Sequence, residues 1–222
     1  MNSIMLLDVQ LGAAKEEFSL IGLLIKGGVI MIPIALLSVM AVYFIIERLL
    51  YIRNAGRINP QHMVDLKRDL KDGKLKEGIR HCKDLNTAWG NIFANGVRGV
   101  GSSMDEIQDR IDDAANVEVA KMERNLNFLS IIAGAAPLLG FIGTIIGVIT
   151  IFFDIANSED NLSISLISEG LYKKMVTSAA GLTVGIVAFA GYHLLQGRID
   201  KFINKVDEDV VAFKATLRNT DE

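Results

Sequence analysis

Cysteine, proline and tryptophan are scarce in this chain of 222 residues, which has one, three and one of them. The lone Cys82 excludes an intrachain disulfide framework, and no residues around it have metal-ligand spacing, so no metal or cofactor is expected. With prolines only at 33, 60 and 137, long helices meet few breakers. No stretch shows the sustained polar/apolar alternation of a strand. The net charge of −3, without a basic stripe, argues against a nucleic-acid binder. The opening residues MNSIMLLD lack a basic n-region, so no cleaved signal peptide is expected.

The most telling absence is charge. Windows 27–46, 125–153 and 175–197 contain no Asp, Glu, Lys or Arg. About 20 apolar residues are enough for a helix to cross a bilayer core. An ordinary soluble enzyme is therefore excluded. The predicted fold is all-α and integral to a lipid membrane, with transmembrane helices at 27–46, 125–153 and 175–197.

Basic residues near span ends resist translocation and so set orientation. Arg48, Arg53 and Arg57 follow the first window, Lys121 and Arg124 precede the second, and Arg198, Lys201 and Lys205 follow the third. All map to one side, which is read as the cytoplasm. Residues 47–124 then form a cytoplasmic helical loop domain and 198–222 a cytoplasmic helical tail. Residues 1–26 and the link 154–174 lie outside, with Lys173 and Lys174 on the side this rule disfavours. Glu47 and Arg48 mark the inner membrane boundary.

Within 14–26, Phe18, Ile21, Leu24 and Ile25 share one helical face. This segment is either an amphipathic helix on the outer surface or an early turn of the first span. In the loop, Asn59-Pro60 is a cap followed by a first-turn proline, and Met63, Leu66 and Leu70 recur at helical spacing up to Gly73. Short helices follow at about 75–85 and 89–100. Ser103-Met104-Asp105-Glu106 fits a capping box. With no strong breaker before Pro137, one helix is predicted from 104 to 153, about 75 Å long. The tail puts Ile199, Phe202, Ile203, Val206, Val210 and Phe213 on one face, and Ile107, Ile111, Ala114, Val117 and Met122 form a second stripe. Two membrane helices are thus expected to extend far into the cytoplasm. Their stripes need partners, and neighbouring subunits are the expected supply. His62, His81 and Cys82 form no constellation and read as solvated loop residues.

The second and third windows carry small residues three or four apart: Ala133, Ala136, Gly140, Gly143 and Gly147, then Ser178, Gly181, Gly185 and Ala188. Gly143/Gly147 and Gly181/Gly185 are GxxxG pairs, which let helix backbones approach closely in lipid. Tight packing alone explains this pattern as well as a pore does. Thr144, Thr177, Ser178 and Thr183 sit among these residues. A hydroxyl donates and accepts, and so can orient a water file, but it carries no charge near neutral pH. His193 is the only side chain in the windows that titrates there. Charge translocation normally uses an ionisable group within the membrane. If this chain conducts, a second polypeptide has to supply the carboxylate.

Ala136-Pro137-Leu138-Leu139-Gly140-Phe141-Ile142-Gly143-Thr144-Ile145-Ile146-Gly147 resembles the APLLGLLGTVxG signature of the MotA/TolQ/ExbB proton-channel family. Glu47-Arg48 and Thr177-Ser178-Ala179-Ala180-Gly181-Leu182 are similar to its other marks. The length and three-span topology resemble ExbB and TolQ rather than the four-span MotA. The resemblance implies a bacterial inner-membrane homopentamer whose second and third spans line a pore. It implies an ExbD- or TolR-like partner with one span bearing an aspartate, and a TonB- or TolA-like transducer. Thr144 matches the pore threonine of the second span, and Ser178 takes the place of the third-span threonine. Lys173 stands where ExbB has a pore glutamate, and Ile186-Val187-Ala188 replaces an isoleucine-proline-alanine run. Lys173 either pairs with an acid at the pore mouth or snorkels outward.

The leading functional reading is the channel or stator subunit of a motor driven by the proton-motive force, energising outer-membrane transport or envelope processes. The alternative is a non-conducting scaffold that assembles partner helices. A solute transporter would show internal repeats or broken helices, and an enzyme is the weakest reading.

Overall fold

The computed structural model describes residues 28–157 and 164–218, the side chains of 164–166, 169 and 173 excepted. The 14–26 segment, the 158–163 stretch of the outer link and the Lys173 side chain thus lie outside the described residues. Among the described residues the chain is helical: α1 Met31–Ala55, α2 Pro60–Lys71, α3 Leu75–Asp84, α4 Ala88–Arg98, α5 Met104–Glu123, α6 Leu126–Asn157 and α7 Ile164–Arg218. The only bridge among them is an isolated pair, Val100 with Ser102. Three helices, α1, α6 and α7, contain stretches long and apolar enough to cross a membrane.

The single helix expected over 104–153 is two helices. α5 ends at Glu123; Arg124 has ψ 133° and Asn125 has φ +67°, a left-handed conformation that asparagine tolerates better than most residues. α6 restarts at Leu126. Asparagine can cap or break a helix without glycine or proline, so a search for strong breakers passes over it.

The chain forms two compact units. One holds the described residues up to Tyr43 together with those of 129–189; the other holds Phe44–Phe128 and the described residues from Ala190 onward. In the second unit, local chemistry starts each short helix. Asn59 Oδ1 accepts the Gln61 N–H at 3.0 Å ahead of Pro60. Thr87 Oγ1 accepts from Gly90 N at 3.2 Å and Ser103 Oγ from Glu106 N at 3.2 Å. Satisfying these free amides is worth about 1 kcal/mol each. Glycines then set the helix spacing. A Cβ on Gly90 would run into the Cys82 carbonyl, and one on Gly96 would lie 2.8 Å from Ile111 Cγ1.

The core of this unit is aromatic. Trp89 and Phe93 have ring centroids 4.5 Å apart, and Phe93 meets Phe213 edge-on at 5.7 Å. Ile199, Phe202, Val206, Val210 and Phe213 of α7 are all buried. The chain itself therefore buries the tail stripe, contrary to the expectation that neighbouring subunits would cover it. The aromatic pair Phe93–Phe213 shows α4 among the elements doing so. Ile107, Ile111 and Met122 are likewise buried, whereas Val117 is exposed. Cys82 is also a core residue rather than a solvated one: with Gly78 it forms the buried face of α3. Burial raises its thiol pKa to about 12, so it stays protonated and inert at neutral pH.

Candidate functional site

In the first unit, α6 and α7 pack through their small residues. A Cβ on Gly140 would lie 3.1 Å from the Cα and carbonyl oxygen of Ser178. One on Gly181 would lie 2.5 Å from the Ala136 carbonyl oxygen and 2.9 Å from Gly140 Cα. One on Gly185 would lie 2.5 Å from Pro137 Cγ and 3.1 Å from the Ala133 oxygen. At Gly181 and Gly185 the overlaps are with backbone or a rigid ring at under 3.0 Å, so only glycine fits there. Pro137 has no N–H to give the Ala133 carbonyl four residues back. α7 reaches that spot through Gly185. Gly143 sits against Thr177 Cγ2 and Ile30 Cγ2, at 3.0 and 3.4 Å from the position its Cβ would take. The Lys174 side-chain stem lies across Gly147.

This crossing gathers three of the hydroxyls. Thr144 Oγ1 is placed to donate to its own helix at the Gly140 carbonyl, 3.2 Å, or across to the Lys174 carbonyl, 3.4 Å. Thr177 is fully buried, 0% exposed, against the α6 glycines. Ser178 is half-buried, with its Cα against Gly140. Thr183 is separate: it is on an exposed face of α7 and donates to the Ala179 carbonyl at 2.8 Å. The pair thus presents neutral donors and acceptors on a backbone contact free of Asp, Glu, Lys and Arg over 126–153 and 175–197.

Residues 84–208 match the MotA/TolQ/ExbB proton channel family, more than half of the chain. The chain belongs to that family. Its relatives include the ExbB homolog of Methanothermobacter thermautotrophicus, named for biopolymer transport. That protein is 28% identical over 183 residues, 82% of this chain and 64% of its own length. An ExbB-like protein of Synechocystis is 28% identical over 179 residues, covering 77% and 68% of the two chains. The TolQ protein of the Tol-Pal system in Haemophilus influenzae is 23% identical over 148 residues, covering 61% and 62%. The match therefore spans just under two thirds of the first relative's length. As a family member with three membrane-length apolar helices, the chain is a multi-pass membrane protein.

The Glu47-Arg48 pair, expected at the inner membrane boundary, lies in the second unit. Arg48 is only 5% exposed. Its guanidinium donates to both Glu47 carboxylate oxygens and, at 3.0 Å, to the Lys121 carbonyl near the end of α5. It also lies over the Tyr51 ring, 4.9 Å from the centroid. Asn125, the residue that breaks α5 from α6, lies close enough to Glu47 to help hold its carboxylate in the charged form. A planar guanidinium with several donors can hold a carboxylate and a carbonyl at once. The dyad therefore ties α1 to the α5–α6 break.

Two buried acids had no signal in the sequence. Asp209 is 8% exposed and accepts from the Trp89 indole N–H at 2.8 Å. Glu118 is 6% exposed and accepts from Asn91 Nδ2 at 3.1 Å and Lys121 Nζ at 2.7 Å. Both belong to charge-rich segments that look solvated when read linearly. His62 and His81 pack edge-on at 5.9 Å, and His62 lies 6.1 Å from Trp89. No metal-binding group of three or more His, Cys, Asp or Glu occurs among the described residues.

Proposed function

We propose that this chain is the channel subunit of an oligomeric proton-driven motor in the bacterial inner membrane. Helices α6 and α7 line the conducting path, with Thr144 and Ser178 facing water, Thr183 and Lys173 along its course, and Thr177, buried between the two helices, holding them together behind it. The path lacks a carboxylate of its own. An ExbD- or TolR-like partner supplies a transmembrane aspartate at the centre of a pentameric ring. Protonation of that acid turns ring and partner relative to one another, and a TonB- or TolA-like transducer carries the motion outward. One proton crossing 100 mV makes about 2.3 kcal/mol available, so a few protons suffice for a conformational cycle. The N-terminus is periplasmic, and residues 47–124 and 198–222 are cytoplasmic.

The observation that carries this reading is the crossing of the charge-free stretches 126–153 of α6 and 175–197 of α7, which collects Thr144, Thr177 and Ser178. In membranes containing the chain and its aspartate-bearing partner, proton flux is followed with an internal pH dye. Thr144→Val and Thr144→Ala are expected to abolish flux while the complex still assembles, and Thr144→Ser to retain it. Normal flux in both of the first two variants refutes the assignment.

The scaffold reading draws on one observation: Thr144 and Thr183 each have a carbonyl of their own helix within reach, as serines and threonines that serve only structure commonly do. It predicts that Thr144→Val and Ser178→Ala are silent, while Gly143→Leu and Gly181→Leu abolish assembly.

A further inference from the structure

Within the second unit, the C-terminal turns of α1 and the middle of α7 enclose an open cavity of about 380 Å³. Arg53, Arg57, Arg198, Lys201 and Lys205 line it, and no acidic residue does. Its apolar wall includes the buried Ile52 and Phe202. Gly56 closes α1 there, its N–H on the Ile52 carbonyl at 2.9 Å. A side chain at that position would meet the same carbonyl at 2.8 Å and Phe202 Cδ2 at 3.7 Å. Lys205 is engaged by Glu208 at 2.8 Å and Asp209 at 3.7 Å. The other four cations, all exposed, have no ion pair among the described residues. Like charges gathered without a counter-ion repel one another, and an anion placed among them relieves that repulsion.

The depth of this cavity along the helices indicates which anion. The charge-free windows end at Ile46 and Gly197. At 1.5 Å per residue, Arg53 and Arg57 stand about 10 and 16 Å beyond the first of these ends, and Arg198 and Lys201 about 2 and 6 Å beyond the second. The polar zone on each side of a bilayer core is about 5–8 Å thick, and long basic side chains reach several ångströms back toward it. Arg198 and Lys201 thus stand at the phosphate level of one leaflet and Arg53 within reach of it, while Arg57 lines the side of the same cavity that faces away from the core. The apolar wall suits the first carbons of an acyl chain.

We propose that this cavity is a seat for the headgroup of an anionic phospholipid, whose phosphodiester sits among Arg53, Arg57, Arg198 and Lys201. The inference rests on the chain's being a membrane protein and not on conduction through α6 and α7. Purified complex in neutral detergent is titrated with phosphatidylglycerol, and retained lipid is counted by native mass spectrometry, with phosphatidylcholine in parallel. Each Lys or Arg at an anionic surface is worth about a fivefold change in binding. The pair Arg57→Gln and Lys201→Gln is therefore expected to weaken phosphatidylglycerol retention about 25-fold and leave phosphatidylcholine unchanged. The equal-charge control, Lys76→Gln with Lys83→Gln, neutralises two exposed cations outside the cavity and is expected to change retention less than twofold. Equal losses in the two pairs would reduce the effect to net charge and overturn the seat. Inorganic phosphate at millimolar concentration that displaces the lipid would overturn the choice of a lipid. If the double variant is poorly folded, Arg57→Gln and Lys201→Gln are measured singly, each with an expected fivefold loss; no loss in either refutes the proposal.

Discussion

Gly181→Ala tests the backbone contact on which the helix pair is built. A Cβ at 181 would stand 2.5 Å from the Ala136 carbonyl oxygen, about 0.9 Å short of ordinary contact, which begins at 3.4 Å. It would also stand 2.9 Å from Gly140 Cα and 3.1 Å from Gly140 N. All three are backbone atoms of α6, so no side-chain rotation relieves the overlap and the helices themselves must separate. Overpacking of this kind costs about 1–3 kcal/mol. Separation also thins the dispersion contacts that hold helices together in lipid. Alanine's better helix propensity returns about 1 kcal/mol. The net expectation is a loss of up to about 2 kcal/mol, or a melting point lower by up to about 8 °C for a chain of this size. Gly134→Ala is the matched control, because nothing lies within 4 Å of its added Cβ. There only the propensity gain operates, and the melting point should rise by about 2 °C. Far-UV circular dichroism melts of the purified protein in one detergent read both variants. If Gly181→Ala rises together with Gly134→Ala, or the two fall equally, the close crossing of α6 and α7 is wrong.

Two further predictions concern the second unit. Asp209→Ala removes the acceptor of the Trp89 indole N–H, a buried charge-assisted bond worth about 1.5–3 kcal/mol. The fluorescence of Trp89, the chain's one tryptophan, should report a lower urea midpoint, and an unchanged midpoint would exclude a stabilising role for the bond. The hydrogen bond to Glu118 raises the Lys121 pKa above its ordinary 10.5. Its contribution to stability is therefore complete below about pH 10.5 and is lost as the pH rises through the higher folded value. Lys121→Gln should flatten stability against pH in that alkaline window only, and a change confined to acid pH would contradict the pairing.

The elements legible in the sequence are those specified over a few neighbouring residues. Asn59-Pro60, Thr87 and Ser103 start helices because each offers a side-chain oxygen to an amide two or three residues ahead. The helical character of the three charge-free windows was legible for the same reason, since a backbone in lipid has to satisfy its own polar groups within the segment. The stop at Asn125 was not, because its left-handed conformation is one that asparagine permits but does not demand. In the candidate site, the Gly140, Gly181 and Gly185 spacing announced a close helix contact. The sequence could not say that Thr177 is buried while Thr183 faces outward, although both lie on α7.

The sequence by itself determined that this is a helical chain with three apolar, charge-free stretches, a GxxxG-bearing pair among them, and no acid within those stretches to carry a proton. These properties depend on composition and on spacings of three or four residues. Only the tertiary structure decided which surfaces meet. It put the apolar tail of α7 into the chain's own core beside Phe93. It buried Asp209 beneath Trp89 and joined Arg48 to the Lys121 carbonyl 73 residues away. Periodicity defines an apolar face but does not name what covers it. That choice depends on competition among all the faces of the chain for the same buried volume.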